Sequence, residues 1–207
     1  LGAGLGLLMV LGTRWVFATD APVALPTASD WTWIGAAIGL GGVVGPIALM
    51  YGLTLTTAAS ASLLLNLEAV LTALLAWFLF KENFDRRIAL GMLVIVAGAT
   101  LLTVTPSGGH GSVPGSLLVV AACLCWALDN NLTQRLSWSD PFALVRVKTL
   151  AAGSVNTALG LYLSRDSLPQ LAHVCGALLL GSLSYGVSVV LDAYALRWVG
   201  AAREAAY

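Results

Sequence analysis

Three acidic residues, Glu68, Asp129 and Asp192, sit in stretches that are otherwise apolar. A carboxylate in hydrocarbon costs about 2.5–3.5 kcal/mol on insertion scales, so each must face protein or a water-filled cavity, where it can bind a solute or exchange a proton. Glu68 lies about ten residues into its run, near mid-bilayer at roughly 1.5 Å rise per residue. It is a candidate for substrate or proton binding. The alternative is a helix-packing glutamate bonded to Asn66 or a serine. Asp129, Asn130 and Asn131 are consecutive. Turning by roughly 100° per residue, they must direct at least one polar group at protein. Asp129 or Asn130 lining a cavity beside Trp126 competes with a polar network that includes Arg135. Tyr185 and Asp192 are two helical turns apart and share a face, so both can line the same cavity. For Asp192 the alternative is an interfacial salt bridge with Arg197. Arg146 and Lys148 read as snorkelling cations. Arg203 and Glu204 are adjacent and point to different sides.

Signals of catalysis are absent. No His-Glu-x-x-His, Gly-x-Ser-x-Gly or phosphate-binding glycine loop occurs. His110 and His173 have no partner at metal-ligand spacing, so neither a metal nor a cofactor is expected. Cys123, Cys125 and Cys175 lie inside apolar runs and read as small packing residues rather than a disulfide framework. Ten basic residues balance ten acidic ones without a basic cluster, which sets nucleic acid aside.

The elements that position these residues are long and apolar. Of 207 residues 58% are hydrophobic and 10% charged, against about a quarter charged in soluble domains. The apolar runs reach roughly 18–23 residues, enough to cross about 30 Å of hydrocarbon. The first ends at the anchor Arg14, Trp15 and Phe17, followed by a loop with Asp20, Pro22 and Pro26. Trp31 and Trp33 mark the next interface. Further runs cover 33–55, 58–80, 88–104, 115–136, 141–163 and 170–196, and an eighth opens at Ala201. The second is rich in glycine, which admits close helix packing, and Pro46 is expected to kink it. No signal peptide is visible, and the chain reads as truncated at both ends.

An internal repeat orders the runs. Tyr51, Leu53, Ala58 and Ala59 match Tyr194, Leu196, Ala201 and Ala202 at a constant shift of 143 residues, and Leu1, Ala3 and Gly4 more weakly match Leu150, Ala152 and Gly153. An odd number of spans between copies inverts the second in the membrane. With the Lys81 to Arg87 turn placed in the cytoplasm, nine of ten basic residues fall at cytoplasmic ends, namely Arg14, Lys81, Arg86, Arg87, Arg135, Arg146, Lys148, Arg197 and Arg203; Arg165 does not.

Tyr51-Gly52-Leu53, Ala58-Ala59-Ser60-Ala61-Ser62, Asn66-Leu67-Glu68, Trp77-Phe78 and Lys81-Glu82 resemble the EamA-type members of the drug/metabolite transporter superfamily. Residues 115–135, with Trp126-Ala127-Leu128, resemble the first helix of that family's second repeat, and Ala201 to Tyr207 the start of its fourth. Ala69 departs from the pattern, where the family often has proline. The resemblance implies an all-α, polytopic membrane protein with inverted repeats, about seven spans present of a ten-helix fold. Residues 1–105 would be the first repeat without its first helix, and 115–207 the second, truncated after its third. The implied function is a secondary transporter or exporter of small metabolites, amino acids or amphiphilic compounds, across the cell membrane by alternating access. From their own positions in the apolar runs, Glu68, Trp126, Asp129, Asn130, Tyr185 and Asp192 are the candidate substrate-binding set. Proton exchange or the solute gradient would drive transport, and no enzymatic activity is expected. The competing class is a multi-span membrane enzyme acting on lipid, for which Asp129 with Arg135 is the one weak catalytic pair.

Overall fold

The computed structural model describes Leu5 and residues 29–81, 86–104, 112–136, 141–163 and 169–205. The first apolar run, apart from Leu5, and the turns holding Glu82, Pro106, His110 and Arg165 lie outside the described residues. The described residues form helices and no strand. They are α1 (Asp30–Leu55), α2 (Ala58–Phe78), α3 (Arg86–Val104), α4 (Val113–Leu136), α5 (Pro141–Leu163), α6 (Leu171–Val199) and the short α7 (Ala201–Glu204). Helices α1, α2, α4 and α6 are each long and apolar enough to cross a membrane. Their outward faces carry large apolar side chains such as Met50, Phe78, Leu117 and Leu183.

Helix α1 packs antiparallel along α4, and glycine makes the approach possible. A Cβ on Gly45 would stand 2.9 Å from Trp126 Nε1, one on Gly52 2.9 Å from Val119 Cγ2, and one on Gly115 2.8 Å from the Leu55 carbonyl carbon. Lipid supplies no hydrophobic drive for two helices to associate, so close van der Waals contact between small residues must hold them. Side chains close both ends of the pair. Ser112 donates from its hydroxyl to Leu55 O at 2.6 Å, and the Arg135 guanidinium lies over the Trp33 ring at 4.8 Å.

Pro46 does not end α1. The helix widens to π geometry over Ile38–Val44, immediately before the proline, and continues to Leu55. A second π segment, Gly181–Gly186, interrupts α6 and begins 143 residues after the first, the interval that separates Tyr51 from Tyr194. Helix α2 is also discontinuous. Between Ala58–Leu65 and Leu67–Phe78, Asn66 bonds its N–H to Leu63 O, and its carboxamide donates to Ser62 O at 3.0 Å and Leu63 O at 3.2 Å. The break precedes Glu68 although Ala69 stands where proline was expected.

Gly200, with φ of 84°, turns the chain from α6 into α7. Ala201 and Ala202 then pack with Ala73, Ala76, Ile88 and Leu196, a core that ties α2, α3, α6 and α7 together. The α1–α4 contact yields a test. In the full-length protein Gly52→Val drives a side chain into Val119 and lowers stability by about 2 kcal/mol. Gly39→Ala, at a position with nothing within 4 Å, leaves it unchanged or raises it. Thermal melting in detergent compares the two; equal melting would remove steric closeness as the basis of the contact.

Candidate functional site

The site is assembled by α2, α4, α5, α6 and α7. The break at Asn66 puts Glu68 in the first turn of the second half of α2, where a helix N-terminus favours negative charge. Its Oε1 accepts from Asn130 Nδ2 at 3.2 Å. The Asn66 carboxamide bonds back into its own helix, at Ser62 O and Leu63 O, and Asn130 is the partner of Glu68.

All three consecutive polar residues of α4 face protein. Asn130 reaches Glu68, Asn131 is fully buried and donates to Thr72 O at 3.1 Å and Ala127 O at 2.8 Å, and Asp129 meets Lys148. Arg135 is occupied by Trp33 rather than by this network. Asp129 has room because residue 41 is glycine: a Cβ there would overlap the Asp129 carboxylate. Trp126, one turn earlier, donates from Nε1 to Gly41 O at 3.1 Å. Its indole N–H is therefore spent on the backbone of α1.

Lys148 corrects the reading from sequence. It does not snorkel to the headgroups; it is 8% exposed and its ammonium lies 2.6 Å from Asp129 Oδ1. It also donates to Thr133 Oγ1 at 2.6 Å, while the Thr133 hydroxyl donates to Asp129 Oδ1 at 3.2 Å. This closed triangle satisfies charges that would be costly to bury apart.

Asp192, on α6, is directed at the same region and not at Arg197, whose guanidinium lies over Trp198 at 6.0 Å. Its carboxyl group meets that of Glu204 from α7 at hydrogen-bonding distance, with Lys148 and Asp129 in electrostatic reach. A bond between two carboxyl groups requires a proton on one of them. The Tyr185 hydroxyl lies in reach of Asp129, Asp192 and Glu68. Tyr185 itself is 57% exposed, since α6 packs loosely along this stretch.

Five helices thus bring Glu68, Asp129, Asn130, Tyr185 and Asp192 to one region, together with Lys148 and Glu204, which sequence reasoning left out. Lys148 carried a signal in its position: with Ala152 and Asn156 it forms one ridge of α5. Glu204 offered only its place at the start of an apolar run. Chemically, the region can hold and release protons, accept hydrogen bonds from a solute's polar or cationic groups, and offer one ammonium to an anionic group. Among the described residues no cluster of His, Cys, Asp and Glu could hold a metal ion.

Residues 1–104 match the model of the EamA-like transporter family. The chain belongs to this family. An "Uncharacterized transporter" of Methanothermobacter thermautotrophicus is 32% identical over 164 residues, which cover 77% of this chain and 48% of the relative. A "Probable amino-acid metabolite efflux pump" of Salmonella typhimurium is 29% identical over 82 residues, covering 39% of this chain and 27% of the pump. The chain spans half or less of the length of these curated relatives. A solved crystal structure shares the fold with a TM-score of 0.73 at 21% identity, covering 99% of this chain and 72% of its own. With its apolar helices, this EamA-like chain is a multi-pass cell-membrane protein.

The buried ion pair can be tested directly. Lys148→Met in the full-length protein leaves Asp129 buried without its counter-charge and costs about 3 kcal/mol, whereas Lys148→Met combined with Asp129→Leu recovers most of that loss. Melting curves decide; a double variant as unstable as the single one would show that the pair is not what stabilises this region.

Proposed function

We propose that this chain forms the solute-handling core of a secondary transporter, which moves small metabolites, amino acids or amphiphilic compounds across the cell membrane by alternating access. The observation that carries the reading is the convergence of Glu68, Asp129, Lys148, Asp192, Glu204 and Tyr185, from five helices, on one region of an otherwise apolar bundle. Ionisable groups at such depth are expensive unless they bind something or pair, and membrane carriers place them on solute and ion paths.

The discontinuities of α1, α2 and α6 fit the same reading. Carriers build midplane sites where helices are broken or unwound beside a cavity, and two π segments 143 residues apart support a repeated unit inverted in the membrane. Glu68, Trp126, Asp129, Asn130, Tyr185 and Asp192 form the proposed solute site, with the Trp126 ring as an apolar wall. The carboxyl groups also provide for proton exchange as the driving reaction. The name of the Salmonella relative favours amino-acid metabolites among the candidate solutes and export as the direction.

The test is export of radiolabelled amino acids and related metabolites from cells expressing the full-length protein, compared with Glu68→Gln and Asp129→Asn. The proposal predicts export of at least one solute and its loss by about tenfold or more in both variants at equal membrane levels, since each removes a charged hydrogen-bonding group. Normal export by both variants would make these carboxylates structural, and export of nothing in the panel would remove the carrier reading.

A further inference from the structure

Pro46 and the π segment before it leave α1 with two carbonyls short of a donor. In π register the Gly45 N–H bonds to Leu40 O instead of Gly41 O, and Pro46 has no N–H to offer either Gly41 or Gly42. Unpaired backbone oxygens in a membrane are costly, and side chains of neighbouring helices supply the missing donors. Trp126 Nε1, from α4, serves Gly41 O at 3.1 Å, and Asn156 Nδ2, from α5, serves Gly42 O at 2.7 Å. The Oδ1 of Asn156 has no partner among the described residues, so its donor end alone holds the carboxamide.

Asn156 stands at the far end of a ridge that also holds Ala152 and Lys148, four residues apart in each step and therefore on one side of α5. Ala152 packs over Gly42, where a Cβ would come within 2.5 Å of its own Cβ, and Lys148 grips Asp129. Helix α5 meets α1 chiefly along the π segment and packs on α6 through Val145 and Ala193, while it reaches α4 at the cluster of Ile34, Leu136 and Leu144 and through the bonds of Lys148 to Asp129 and Thr133. The docking of α5 on α1 is therefore one of the contacts that set the approach of Lys148 to Asp129.

We infer that Asn156 is a positioning residue: by donating the hydrogen bond that Pro46 withholds from Gly42 O, it docks α5 on the π segment of α1 and so places Lys148 on Asp129. Asn156 touches neither member of the ion pair and acts through the ridge. The consequence for transport rests on the carrier reading above, while the placement of Lys148 does not.

The sequence contains two lysines, Lys148 in the pair and the exposed Lys81, which serves as internal reference. The full-length protein in liposomes is treated with a membrane-permeant acetylating reagent, and the ratio of modification at Lys148 to that at Lys81 is read by mass spectrometry. Asn156→Asp keeps the shape and removes the donor. It is expected to raise the ratio about tenfold, as for a buried acceptor left without its bond. Adding Pro46→Ala returns a backbone N–H to α1 and is expected to bring the ratio back towards that of the unaltered protein.

A ratio unchanged by Asn156→Asp overturns the inference, and so does a rise that Pro46→Ala fails to reduce. If Asn156→Asp folds only together with Pro46→Ala, the compensation is demonstrated by that fact; if it folds in neither background, the inference is overturned. In the same preparations the half-saturating concentration of the fastest-moving amino acid rises about tenfold in Asn156→Asp and recovers with Pro46→Ala. Should the unaltered protein move no amino acid while the lysine ratios behave as stated, the carrier reading fails and the positioning role stands.

Discussion

The close antiparallel contact of α1 and α4 is the constraint on which the other features depend. Two helices in lipid gain nothing from hiding apolar surface against each other, so the approach must come from small residues and directed bonds. Gly45, Gly52 and Gly115 allow the backbones to close, and Ser112 and Arg135 fasten the ends. Gly41 then leaves room on α1 for the Asp129 carboxylate of α4. A larger residue at position 41 would push Asp129 away, and with it the group that Lys148 is buried to meet.

Backbone irregularity in α1 follows from the same geometry. The π segment and Pro46 free the Gly41 and Gly42 carbonyls, and the donors that satisfy them come from two different helices. A regular helix would bond to itself and leave its neighbours to pack by shape alone. This one trades internal bonds for bonds to α4 and α5, which orients the elements that carry Trp126, Asp129 and Lys148. The π segment of α6 has looser surroundings: Ser182 and Ser188 bond back to carbonyls of their own helix, and few residues around it are buried. The π segment of α1 is therefore clasped by side chains of α4 and α5, while that of α6 lies in a stretch with few buried residues.

Much of this was legible in the residues. Among the described residues, apolar runs marked the helices to within a few residues, because only a helix satisfies its own backbone across hydrocarbon. Glu68, Asp129 and Asp192 stood out because a charge in such a run needs a reason. Lys148 was misread because its long stem lets a lysine near a helix end reach the headgroups, and nothing local in the sequence distinguishes that from reaching inwards to Asp129 on another helix. Glu204 was passed over because its meeting with Asp192 is made by the turn at Gly200 and not by spacing along one helix. The role of Asn156 was illegible for a further reason: its partner is a carbonyl oxygen, which no side-chain pattern reveals.

Tyr185 is placed to report on the proposed alternating access to one shared polar region, being exposed yet in reach of Glu68, Asp129 and Asp192. The most direct measurement is labelling of Tyr185→Cys by a membrane-impermeant maleimide, in full-length protein whose Cys123, Cys125 and Cys175 are replaced by serine. Alternating access predicts labelling from either face of the membrane in turn, and protection from both when the exported solute is present. Labelling from one face only, or labelling that the solute leaves unaffected, would contradict it.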